Sequence, residues 1–119
     1  MTVSDDKRWT KGIAQFNAGD YFECHETLES LWMEESGPDR LFLQGLIHLA
    51  VGLYHLKSGN RGGALSQLKK AAAKLKPYSD GRCGVHFEKV LAESETLLKR
   101  VQHGDKISWE TVRGPSLKL

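Results

Sequence analysis

The chain has 119 residues, 39% of them hydrophobic and 27% charged, which suits one domain burying about two-thirds of its unfolded surface. Seventeen Lys and Arg stand against fifteen Asp and Glu, a formal net charge of +2, too even a balance to point to nucleic acid or a membrane surface. Cys24 and Cys83 are isolated, with neither a CxxC nor a metal-ligand spacing, and read as reduced thiols of a cytoplasmic protein.

In chain order, a first helix is expected from Ser4 or Asp5, either of which can cap it, to Asn17, with Trp9, Ile13 and Phe16 as its buried stripe. The N-terminal residues ahead of Trp9 lack the charged-then-apolar pattern of a secretory signal. Gly19 fits a helix C-cap, and Asp20 with Glu23 makes a capping box for a second helix, Asp20 to Glu35. Advancing 100° per residue, Tyr21, Cys24, Leu28, Leu31 and Trp32 share the inner face. His25, Glu29, Phe22, Met33 and Glu26 follow around the wheel.

Ser36-Gly37 stops that helix, and Pro38 opens a third, Pro38 to Ser58, in a first turn where its missing N–H costs nothing. This helix is apolar nearly all round, as suits the centre of a bundle, and a second subunit is one way to cover it. The apolar run Leu41 to Leu56 is shorter than a membrane span and is interrupted by Gln44, His48 and His55, which share a narrow arc edged by Gly45 and Gly52. Gly59-Asn60 repeats the stop-and-cap device for a fourth helix, Asn60 to Leu75, whose Lys69, Lys70 and Lys74, with Lys76 just beyond, read as a solvated face. Pro77 ends it, and a turn over Tyr78 to Gly81 leads to a fifth helix over 84–103. Ile107, Trp109, Val112, Leu117 and Leu119 give the tail, 105–119, enough apolar surface to lie along the bundle.

At an offset of 40, Gly12, Ile13, Phe16, Gly19, Asp20, Cys24 and Leu28 align with Gly52, Leu53, Leu56, Gly59, Asn60, Ala64 and Leu68. Two helix-glycine-helix hairpins result, somewhat like tetratricopeptide units but too few for a solenoid. The expected architecture is a single all-α bundle of about five helices over 1–119, built on these hairpins, with a core over 9–76.

A candidate pocket follows if the second and third helices bring His25, Glu26 and Glu29 toward Gln44, His48 and His55. One outcome is a buried polar network that registers the helices. Another is a divalent metal on His25, Glu29 and His48 with Glu26 as general base, a hydrolase-like enzyme. Neither Glu-x-x-His nor His-Glu-x-x-His is present, however, and no nucleophile elbow, phosphate loop or dinucleotide fingerprint occurs. The expectation is therefore a non-enzymatic cytoplasmic binding module without a cofactor, taking a protein or small-molecule partner.

Two blocks carry a resemblance: Phe16-Asn17-x-Gly19-x-Tyr21-Phe22-Glu23-x-His25-Glu26-x-Leu28-Glu29-x-x-Trp32, and Gln44-Gly45-Leu46-Ile47-His48-x-Ala50-x-Gly52-x-Tyr54-His55. Over Trp9 to Leu75 the chain resembles the domain of unknown function 309 family. That resemblance implies a compact helical domain without an established activity, in which His25, Glu26, Glu29, Gln44, His48 and His55 are the characteristic polar positions.

Overall fold

The computed structural model describes residues 2–104 and Leu117. Five α-helices follow one another: α1 (Lys7–Asn17), α2 (Tyr21–Glu34), α3 (Arg40–Lys57), α4 (Arg61–Leu75) and α5 (Glu88–Gln102). Each packs chiefly against its neighbours in the chain, so α3 is flanked by α2 on one side and α4 on the other. No helix among the described residues is long and apolar enough to cross a membrane.

The two hairpins close alike. Gly19 and Gly59 take φ of +82° and +81°, a left-handed conformation that costs glycine little. The next residue then reaches back, Asp20 N–H to the Gln15 carbonyl at 2.9 Å and Asn60 N–H to that of His55 at 2.7 Å, the six-to-one bond of a Schellman end. The hairpin cores match as well. A Cβ on Gly12 would stand 2.7 Å from Leu28 Cδ2, and one on Gly52 would stand 2.8 Å from Leu68 Cδ2. In each hairpin a leucine of the second helix thus lies directly on the backbone of the first.

The N-terminal caps differ from expectation. Val3–Asp5 forms one 3-10 turn, with the capping box on Thr2 and Asp5, and α1 is capped by Asp6, which accepts from Arg8 N–H at 2.9 Å. The Arg8 side chain and amide hold the Asp6 carboxyl down at about 2, against an ordinary 3.8. Its stabilising contribution is present above the ordinary value and is lost as pH falls toward 2. Asp20 makes no side-chain cap, whereas Asn60 accepts from Gly63 N–H at 3.0 Å as expected.

Pro38 lies in the turn before α3 rather than in its first turn. That junction is held by arginines. Arg40 donates to the Trp32 and Glu35 carbonyls at 3.0 and 2.9 Å and lies 4.1 Å above the Trp32 ring. It satisfies carbonyls that a helix end leaves open, and the Trp32 Nε1, buried without an acceptor among the described residues, sits in the ring beneath it. Asp39 does not cap α3; its carboxylate accepts from Arg82 Nε at 2.6 Å. Arg82 belongs to a loop with a single Arg82–Val85 bridge, which delays α5 from position 84 to Glu88.

Phe42 is the hub of the core. Fully buried, it meets Trp9 of α1 at 5.7 Å, Tyr78 at 5.4 Å and Phe87 at 5.2 Å between ring centres. Of the expected tail contacts, Ile107, Trp109, Val112 and Leu119 lie outside the described residues. Leu117 is buried, and its N–H and carbonyl bond the Asn17 side-chain amide, both at 2.7 Å.

Two outcomes follow from this packing. Gly52→Ala gains helix propensity but overpacks Leu68, and is expected to lower unfolding free energy by about 1–2 kcal/mol. Gly62→Ala, with nothing within 4 Å of its Cβ, should raise stability by about 0.5–1 kcal/mol; urea titration of both variants reads the opposite signs. Cys24 is fully buried with its thiol pushed up to about 12 by desolvation, while Cys83 is half-buried and raised less. Native protein at pH 8 is therefore expected to give one slowly reacting thiol to a disulfide reagent, and a second only in denaturant.

Candidate functional site

On α2, Phe22, Glu26, Glu29 and Met33 recur at i, i+4, i+7 and i+11 and form an exposed crest, with His25 between it and α3. On α3, Gln44, Ile47, His48, Val51 and His55 are half-buried along one arc, bounded by exposed Tyr54 toward α2 and exposed Leu41 toward α4. The arc is left open because α2 and α4 cover only the sides of α3. Phe22, Met33, Leu41 and Tyr54 are the exposed large hydrophobic residues of the described structure, at 45%, 69%, 46% and 38%. All four stand on these two helices. An aromatic chain crosses the seam, Phe22 lying 5.6 Å from the His25 ring and 5.5 Å from Tyr54, with Tyr54 5.7 Å from His55.

The six expected site residues share this side of the molecule but not one hydrogen-bonded cluster. His25 Nε2 meets Glu29 Oε2 at 3.0 Å, a contact that is ionic only with a protonated ring, and His25 Nδ1 is 3.3 Å from the Phe22 carbonyl. His48 looks the other way, its Nδ1 2.6 Å from Gln67 Oε1 on α4. His55 also lies toward α4, with Nδ1 3.3 Å from Asn60 Nδ2. Gln44 is half-buried on the same arc. Glu26 stands on the crest and borders a hollow between α1 and α2. His25 and Glu29 therefore meet as expected, while His48 and His55 line the α3–α4 seam, because the α2-facing part of α3 is taken by Tyr54 and its neighbours. The proposed ligand set of His25, Glu29 and His48 is not assembled, and no group of three or more His, Cys, Asp or Glu among the described residues is placed to hold a metal ion.

The hollow between α1 and α2, about 380 Å³, is lined by Arg8, Lys11, Gln15, Glu23, Glu26, Thr27 and Ser30. It is polar and open. Arg8 pairs there with Asp6 at 2.9 Å and with Glu34, and Thr27 donates to Gln15 at 2.7 Å. These groups tie α1 to α2.

Gln67 and Asn60 are the partners that sequence reasoning missed. The 40-residue offset carries the signal. It maps Arg8, which reaches Ser30 on α2, onto His48, which reaches Gln67 on α4, so at this position the first helix of each hairpin faces its own partner.

Residues 9–67 match the family model of the domain of unknown function DUF309. The DUF309 match thus runs from the buried Trp9 of α1 to Gln67 of α4 and takes in the whole α2–α3 face. The chain is 43% identical over 60 residues to the uncharacterized protein YpuF of Bacillus subtilis (strain 168). It is 26% identical over 91 residues to an uncharacterized protein of Aquifex aeolicus (strain VF5). The alignments cover 49% and 76% of this chain but only 34% and 27% of those relatives, so the chain spans about a third or less of the proteins it matches.

Burial separates the two histidine contacts energetically. The Glu29 side chain is 48% exposed, and exposed pairs contribute little, so Glu29→Gln is expected to shift unfolding free energy by less than about 0.5 kcal/mol. His48→Ala removes a half-buried ring and leaves Gln67 without its partner, an expected loss of about 1 kcal/mol or more. Chemical denaturation of both variants measures the difference.

Proposed function

We propose that this chain is a small helical docking module that takes a protein segment on the α2–α3 face. The observation that carries the proposal is the clustering of Phe22, Met33, Leu41 and Tyr54 on two adjacent helices, around half-buried Ile47 and Val51. Scattered exposed apolar residues are ordinary, but a contiguous set rimmed by polar groups marks an interaction surface. Beside and between these groups stand Glu26, Glu29, Gln44, His48 and His55, hydrogen-bonding groups able to orient an incoming backbone. Aromatic side chains supply contact area at low entropic cost. That the matched region forms only part of its longer relatives supports a modular role, and the unpaired Cys24 and Cys83 support a cytoplasmic setting.

Selection of displayed random peptides against the full chain tests this. Selected peptides are expected to carry aromatic or aliphatic anchors and to lose about tenfold or more in affinity on Phe22→Ser or Tyr54→Ser, with helicity retained by circular dichroism. Recovery of no binder, or of binders indifferent to both substitutions, overturns the assignment.

A further inference from the structure

The three helices that form the open face divide charge sharply. The α2 helix carries Glu23, Glu26, Glu29 and Glu34 and no Lys or Arg; α4 carries Arg61, Lys69, Lys70 and Lys74 and no Asp or Glu. Between them, α3 presents its apolar and histidine-bearing arc. On α4, Lys70 and Lys74 lie one and two turns beyond Gln67, on the side that bonds His48. The Lys74 Cβ comes within 3.2 Å of where a Cβ on Gly45 would stand, which places it at the edge of α3. No ion pair joins Lys69, Lys70 or Lys74 to a carboxylate among the described residues. The face therefore has an acidic edge along the Glu26–Glu29 crest, a floor that mixes Ile47 and Val51 with Gln44, His48 and His55, and a basic edge whose lysines pair with no carboxylate among the described residues.

We propose that this face pairs with the same face of a second copy of the chain, about a two-fold axis running along α3. The inference rests on the docking role assigned above and names the occupant. With the axis so placed, the α3 arcs meet each other and each acidic α2 lies over the basic α4 of the other copy, twice by symmetry. An axis perpendicular to α3 would instead stack α2 on α2 and set carboxylates against carboxylates. Charge thus selects the axis as well as the partner. The dimensions suffice: α2, α3 and α4 have 14, 18 and 15 residues, about 21, 27 and 22 Å, and at about 9 Å spacing they give roughly 630 Å² per copy, at the lower end of the standard interface. Leu41, Tyr54, Phe22 and Met33 become covered.

Sedimentation velocity of the full chain across a concentration series is the first test, expected to show a monomer–dimer equilibrium that weakens with added salt. Lys70→Glu with Lys74→Glu makes both edges acidic, and Glu26→Lys with Glu29→Lys makes both basic. Each double variant alone is expected to raise the dimer dissociation constant by about a hundredfold or more. An equimolar mixture of the two should recover wild-type strength as a heterodimer, because every edge again faces its opposite. A chain that stays monomeric throughout, a dimer insensitive to the reversals, or a mixture without recovery overturns the pairing. The docking role fails separately: a monomeric chain that still binds selected peptides through Phe22 and Tyr54 retains that role and loses only the second copy as occupant.

Discussion

The contact on which the fold depends is a leucine laid on a glycine inside each hairpin, Leu28 on Gly12 and Leu68 on Gly52. With no Cβ at the glycine, the two helices of a hairpin approach until side chain meets backbone, and dispersion contacts accumulate along the seam. This close approach sets how far each helix can rotate. Once Leu28 is seated, Cys24 and Leu31 must face inward and Phe22, Glu29 and Met33 outward; once Leu68 is seated, Gln67 must reach His48. The exposed crest of α2 and the open arc of α3 are thus consequences of two glycines on the buried side.

The same arrangement explains why the surface is chemically divided. The inner seams use small and aliphatic residues and the junctions use arginines, so Arg40, Arg82 and Arg8 are occupied with carbonyls, Trp32, Asp39, Asp6 and Glu34. Glu26 and Glu29 on one side of α3, and Lys70 and Lys74 on the other, have no structural duty comparable to these. The face thus carries carboxylates on one side, with Glu29 meeting His25, lysines on the other, and aromatic groups between them. Of its histidines, His25 meets Glu29 on its own helix, while His48 and His55 meet Gln67 and Asn60 along the α3–α4 seam.

Much of this was legible in the residues. The glycine stops at 19 and 59, the Trp9–Ile13–Phe16 stripe, the inner face of α2 and the 40-residue correspondence all follow from local rules of helix geometry. Other features were not local. Asp20 looks like a cap in sequence, but with its ψ at 65° its carboxylate does not reach the first-turn amides. Asp39 is claimed by Arg82, 43 positions away, and no spacing rule reveals that. The histidines of α3 were assigned to the wrong neighbour because a helical wheel gives angles between residues but not which helix lies at which angle. The repeat contained the missing information, since residues of a first helix that face their own hairpin partner should do so again 40 residues later.

The attachment of Leu117 to Asn17 has a consequence for how the chain comes together. Nearly every other helix contact joins neighbours in sequence, so the array can assemble progressively with short loops and little entropy lost at each closure. The amide of Asn17 instead grips the N–H and carbonyl of one residue 100 positions downstream, supplying both a donor and an acceptor as an adjacent strand would. That latch closes across the whole array, tying a residue beyond α5 back to the hairpin of α1 and α2.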